Sequence, residues 1–279
     1  MPHTITRPVG DAMVSVITDG AVTFTPDLFP GQDPAHLDAI LSASGSDAIH
    51  TNFNAVVIRR AGRIILADAG PRDLFGPSCG NLLAGLAELG IAPDQVDTLV
   101  ATHLHPDHVA GMIDTAGQAV FPNASLHVTE AERAFWGDDT NFSGALSGIA
   151  GWAKVGQSVL AAYTDRLHIT APDTEIVAGL SLFDLPGHTP GHAGWRLDAG
   201  KDTLLHVGDI VHAPALQITN PDIAISFDLD IDTARATRKR LLDQIETDGA
   251  LFTGGHFLHP AFNRLERLGS GYHLLPGLA

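Results

Sequence analysis

Four metal-binding residues crowd the stretch Thr102-His103-Leu104-His105-Pro106-Asp107-His108. Imidazole and carboxylate suit Zn, Fe, Mn or Co without help from thiolates. His103 and His105 alternate after a short apolar segment and can point the same way. Pro106 stiffens the turn, and Asp107 and His108 can project beside them at a second point. Three further candidates each end an apolar run with glycine immediately before: His188 after Gly187, Asp209 after Gly208, and His256 after Gly255. Glycine permits the sharp turn and close backbone approach that such a placement needs. The chemistry such a set could do is hydrolysis, with two divalent cations lowering the pKa of a water toward neutrality.

Strands must deliver these residues. Short β-rich runs occur at Ala12–Thr18, Phe53–Arg59 and Arg63–Asp68, the last two joined by Arg60-Ala61-Gly62. Asp97–Thr102 leads directly into the histidine turn. Ser125–Thr129, Glu175–Val177, Ser181–Leu185, Gly194–Leu197 and Thr203–Val207 follow, and Ala250–Gly254 reads as the last strand. Apolar periodicity predicts a helix over Asn81–Leu89. Thr129 with Glu132 forms a capping-box pattern for a helix carrying Phe135 and Trp136. Asp232 is expected to cap a long helix to about Thr247, with Leu241, Leu242 and Ile245 inward and Arg238, Lys239 and Arg240 mostly outward. Residues 137–165 change character and read as an insertion near the active site. One domain of two β-rich halves, spanning 1–279, is the simplest organisation.

Composition narrows the function. The 279 residues include 16 Lys+Arg against 32 Asp+Glu, a formal net charge of -16. Such a surface repels phosphate backbones and anionic membranes, so no nucleic-acid or membrane partner is expected. No stretch approaches the roughly 18 apolar residues of a membrane span. Cys79 stands alone, which rules out an intrachain disulfide and a thiolate-rich metal site. The region Met1–Gly20, interrupted by Asp11 and Asp19, does not read as a signal peptide, and a cytoplasmic location is the expectation. A small-molecule substrate would meet pocket walls drawn from Phe24, Phe29, Trp136, Phe142, Trp152 and Phe257. Apolar loops near the N-terminus and in 137–165 raise the expectation of a homodimer.

The His-x-His-x-Asp-His turn, with Ile64-Ile65-Leu66-Ala67-Asp68-Ala69-Gly70, Pro186-Gly187-His188-Thr189-Pro190-Gly191-His192, Gly208-Asp209 and Gly254-Gly255-His256, resembles the metallo-β-lactamase superfamily. The resemblance covers about Val14 to Phe262. It implies an αββα sandwich of two mixed β-sheets flanked by helices, with metals on one edge. It also implies that His103, His105 and His188 bind a first metal, that Asp107, His108 and His256 bind a second, and that Asp209 bridges them. The metals implied are two divalent ions, zinc first, with Mn, Co or Fe as alternatives. Asp68 looks like the carboxylate that orients a ligand histidine, with Thr189 and His192 also supporting, whereas His206 and His212 read as plain strand or loop residues. Asp107, beside the nucleophile, could also assist proton transfer. The segment from Gly208 to Gln217, followed by Phe227-Asp228-Leu229-Asp230, is similar to the methyl parathion hydrolase group, which includes lactonases and organophosphate or aryl-ester hydrolases. A dinuclear hydrolase of lactones, esters or organophosphate triesters is therefore expected. The alternative is an iron-dependent oxidoreductase of the same fold, similar to sulfur dioxygenases.

Overall fold

In the computed structural model, which describes residues 3–144 and 147–277, the chain forms two seven-stranded mixed sheets. The first contains, in spatial order, β1 (Thr4–Val9), β2 (Ala12–Phe24), β3 (Ile49–Arg60), β4 (Arg63–Ala67), β5 (Thr98–Val100), β6 (Ser125–Val128) and β7 (Leu167–Ile169). Its first four strands are antiparallel and its last four parallel. The second contains β8 (Glu175–Val177), β9 (Leu180–Asp184), β10 (Ala193–Ala199), β11 (Asp202–His206), β12 (Leu251–Thr253), β13 (Asn263–Leu268) and β14 (Gly271–Pro276), in reverse spatial order. Only β11 and β12 pair in parallel there.

Pleat alternation explains why the central strands read as near-continuous apolar runs. On β3, Val56 and Ile58 face the second sheet and pack with Leu182, Trp195 and Leu197. Ala55 and Val57 face the other way and pack with Leu86, Val109 and Trp136. Both faces are covered, so both are apolar. β2 and β3 run well beyond the segments the sequence marks, to 13 and 12 residues. β13 and β14 follow the strand expected to be last. They form a charged edge hairpin in which Leu265 and Tyr272 are buried.

The helices are α1 (Pro34–Ala43), α2 (Leu82–Glu88), α3 (Pro106–Val109), α4 (Glu130–Gly137), α5 (Ser147–Ala162), α6 (Pro214–Gln217) and α7 (Ile231–Asp248). The 137–165 region builds α5, which packs on α3 and α4. The N-cap of α7 is Asp230, which accepts from Thr233 N at 3.0 Å, two residues before the expected Asp232. Gly249 ends α7 in the left-handed conformation. Arg238 is a second correction: it is fully buried, not outward. On α4, Thr129 Oγ1 accepts from Glu132 N at 3.3 Å, but the Glu132 carboxylate turns into the protein instead of back to the cap.

His206 is buried and stacks on Trp195 at 5.0 Å, and its Nδ1 accepts from Gly208 N. Burial lowers its pKa from 6.5 to about 4. The unfolded chain therefore binds a proton that the folded chain refuses between those values. Stability from this group is complete above pH 6.5 and is lost as pH falls toward 4. His206→Phe should flatten that part of the stability–pH curve by one proton, measured by urea unfolding across the window. At neutral pH the same variant should lose about 1–3 kcal/mol, because Gly208 N–H loses its acceptor.

Candidate metal centre

The topology brings the carboxyl ends of β4, β5, β9, β11 and β12 to one rim. Asp68 follows β4, His103 and His105 follow β5, and Asp107 and His108 lie on the single turn of α3. His188, Asp209 and His256 follow β9, β11 and β12. Glycine is required at the turns before His188, Asp209 and His256, as the last two illustrate. Gly208 has φ +51°, and a Cβ there would lie 2.3 Å from His192 Nε2. A Cβ on Gly255 would lie 2.8 Å from both Asp209 Oδ1 and His108 Cε1.

Two groups result. His103, His105 and His188 converge, as do Asp107, His108, Asp209 and His256. In the first, His188 Nε2 lies 2.9 Å from His105 Nδ1 and 3.2 Å from His103 Nε2. Asp209 Oδ2 lies between the groups, at 2.9 Å from His256 Nε2, 3.0 Å from His108 Nε2, 3.5 Å from His188 Nε2 and 3.7 Å from His103 Nε2. Asp107 Oδ2 completes the rim, at 3.5 Å from His108 Nε2 and 3.6 Å from His256 Nε2.

Partners behind the rings fix their protons. His108 Nδ1 donates to Asp68 Oδ2 at 2.9 Å, and His188 Nδ1 donates to Asp228 Oδ1 at 3.0 Å. His256 Nδ1 donates to Asn52 O at 2.8 Å. Thr102 Oγ1 gives its proton to Asp68 Oδ2 and accepts from His103 Nδ1 at 3.1 Å. Each of these four rings therefore turns its Nε2 inward, the arrangement that carboxylate and carbonyl partners enforce on metal-ligating histidines. Asp68 holds this post with a left-handed φ of +56°, which aspartate tolerates better than most residues. His192 is not part of either group. Its Nδ1 donates to Leu185 O and its Nε2 accepts from Asp209 N at 2.9 Å, which anchors the Asp209 turn.

Ring nitrogens and carboxylates converging on one buried point set the protonation of each group. Burial lowers the pKa of His108, but Asp209, Asp107 and Asp68 override it and hold the ring well above 6.5. His256 shifts up for a similar reason, through Asp209 and Asp107 against burial. Burial drives His103, His105 and His188 well below 6.5. Burial raises Asp107, yet His108 and His256 pull it below the usual carboxylate range. Asp209 Oδ1 is buried without a hydrogen-bond partner. The residues fit a pair of divalent cations.

A cavity of about 110 Å³ opens over the centre. Its apolar wall is Val22, Phe24, Phe53, Phe75, Trp152 and Phe227. Of the wall residues expected from sequence, Phe24 and Trp152 are there. The other four are corrections. Phe29 is buried against Leu37 and Ile49, and Phe257 packs on Phe252. Trp136 donates to Glu132 Oε1, and Phe142 stacks on Trp136 at 5.2 Å. His212 is a correction in the other direction: it lines the cavity with Nε2 3.3 Å from Asp209 Oδ2. Its position three residues after Asp209, on the same turn, was the available signal.

A model of the Metallo-beta-lactamase superfamily matches residues 52–256, and the chain belongs to that superfamily. A protein of Mycobacterium bovis named "Probable metallo-hydrolase Mb2322c" is 33% identical over 129 residues, a match spanning 44% of this chain and 40% of the relative. A crystal structure described as the hydrolase AbOPH in the beta lactamase superfamily is 28% identical, with a TM-score of 0.93 over 99% of this chain and 98% of that one. AidC, described as a dizinc quorum-quenching lactonase, is 24% identical, with a TM-score of 0.92 over 99% of this chain and 98% of that one. At that identity the likeness to AidC bears on the fold.

Sequence reasoning missed the support behind Asp228. Arg238 Nη2 lies 3.4 Å from Asp228 Oδ2, and its remaining donors reach Ile210 O, Ile223 O and Pro221 O. One buried guanidinium thus braces both the carboxylate behind His188 and the turn that carries Asp209. Arg238→Met should cost about 3–5 kcal/mol in urea unfolding, because it strands Asp228 as a buried charge. Lys239→Met, which removes only an exposed pair with Asp222, should cost no more than about 1 kcal/mol.

Proposed function

We propose that this chain is a dinuclear metal-dependent hydrolase of lactones, carboxylic esters or organophosphate triesters. The observation that carries the reading is the set of inward-facing Nε2 atoms around Asp209 Oδ2, each ring locked by its own partner. His103, His105 and His188 would hold one cation, Asp107, His108 and His256 the other, with Asp209 shared. Such cations, when bound, supply Lewis acidity and bring the pKa of water toward neutrality.

The chain's own groups account for the rest. Val22, Phe24, Phe53, Phe75, Trp152 and Phe227 exclude water and accept an acyl chain or aryl group. Among the described residues no lysine or arginine lines the cavity, which favours a neutral substrate over an anionic one. Asp107, partly exposed at the rim, is placed to take or pass a proton beside the reacting centre. AidC, a dizinc lactonase with the same fold, supports zinc and lactones as first choices. AbOPH supports hydrolysis more broadly.

Protein purified without added metal should contain about two equivalents of zinc, manganese or cobalt. It should turn over one class in a panel of ester, lactone and phosphotriester, and a chelator should abolish that turnover. One equivalent of iron with no hydrolysis would overturn the reading in favour of oxygen or sulfur chemistry. Asp68→Asn, which cannot accept on both sides, from Thr102 N–H at Oδ1 and from Thr102 Oγ1 and His108 Nδ1 at Oδ2, should lower metal affinity or kcat/KM by about 10–100-fold.

A further inference from the structure

Glu132 is fully buried on α4, contacts none of the proposed ligand side chains, and is absent from the cavity wall. Its carboxylate accepts four hydrogen bonds. Oε1 takes Leu104 N at 2.9 Å and Trp136 Nε1 at 2.6 Å, and Oε2 takes Thr189 Oγ1 at 2.6 Å and Gly191 N at 3.1 Å. Leu104 lies between His103 and His105, and Thr189 follows His188. One side chain therefore ties the turn from the first sheet to the loop from the second. Trp136, held by the same oxygen as Leu104, sets its ring edge-on to His105 at 5.1 Å. Thr129 Oγ1 reinforces the join by donating to Gly191 O at 2.7 Å.

The grip is weighted to one side. Leu104, Trp136 and Thr189 adjoin the three imidazoles, and only Gly191 N, beside His192, adjoins the other group. The Asp107, His108, Asp209 and His256 group is braced elsewhere, by Asp68, His192 and Asn52 O. The His103 and His188 segments come from different sheets, and no other carboxylate among the described residues bonds both. Four donors need both oxygens as acceptors, which only the carboxylate offers. Burial raises the Glu132 pKa to about 7 against those four bonds, so this is a costly group to keep in an apolar layer.

We propose that Glu132 is a positioning residue that spaces His103, His105 and His188 for one cation and sets the affinity of that half of the centre alone. The inference rests on the dinuclear reading above. In Glu132→Gln, whichever way the amide turns, its NH2 faces two of the four donors. Gly191 N–H and Leu104 N–H cannot reverse, so one tie is lost.

The test is a Zn(II) titration of the chelator-stripped full-length chain, competed with a chromophoric chelator, repeated with Co(II) to follow its visible absorption. Wild type should take up two tight equivalents. Glu132→Gln should keep one at wild-type affinity and weaken the other by about 10–100-fold, with loss of the Co(II) bands of that equivalent only. A role in general stability would weaken both equivalents together. Equal weakening, or no change, overturns the proposal. Thr189→Val provides a milder second variant, expected to weaken the same single equivalent by about fivefold, with Thr189→Ser restoring it. If Glu132→Gln does not fold, Thr189→Val leaving both equivalents equal overturns the proposal on its own. Wild type that takes up fewer than two equivalents overturns the dinuclear reading, and the inference with it.

Discussion

The fold is organised around one carboxylate oxygen, Asp209 Oδ2, surrounded by imidazole nitrogens that converge on it. Burying so many polar groups at one point is costly, so each ring must be held in place from behind. Hydrogen bonds donated by the rings to Asp68, Asp228, Asn52 O and Thr102 Oγ1 do this, and each bond also settles that Nδ1 carries a proton. The rim where β4, β5, β9, β11 and β12 end is the geometric answer to the same problem. It lets five chain segments approach one point without crossing.

Three buried carboxylates carry the next layer, and each uses a different compensation. Asp68 has Thr102 and His108. Asp228 has a buried guanidinium, Arg238, that also collects three backbone carbonyls. Glu132 has only neutral donors, two from backbone and two from side chains. Burial raises the pKa of both Asp228 and Glu132 against these partners. The centre is thus mounted on α4 and α7 as well as on the sheets.

The ligand positions were legible because their chemistry admits few residue types and their turns need glycine. Their supports were not, because each wears a second, more ordinary pattern. Glu132 reads as the third residue of a helix cap, and its backbone does serve there while its side chain turns inward. Arg238 sits in Arg-Lys-Arg, a run that looks solvated, and only the packing of α7 on the Ile210 turn shows which of the three is enclosed. Aromatic residues of the core and of the cavity wall have the same local signature. Trp136 and Trp152 differ only in which face of the α4–α5 layer they occupy, and that is a tertiary fact. The β13–β14 hairpin escaped because Arg264, Glu266 and Arg267 mask its alternation.

Beyond the proposed metal centre, the cavity wall has no lysine or arginine among the described residues, and this bears on how a turnover would end. Hydrolysis of a neutral ester or triester creates an anion inside an apolar wall where, among the described residues, no lysine or arginine stands to retain it. Outside lies a chain of formal net charge -16. Once released from the centre, such a product meets no electrostatic trap on its way out, and the field of the protein opposes its return. The same field is indifferent to an uncharged substrate on the way in. Traffic through the opening would thus be rectified by charge, with no moving lid needed to enforce direction.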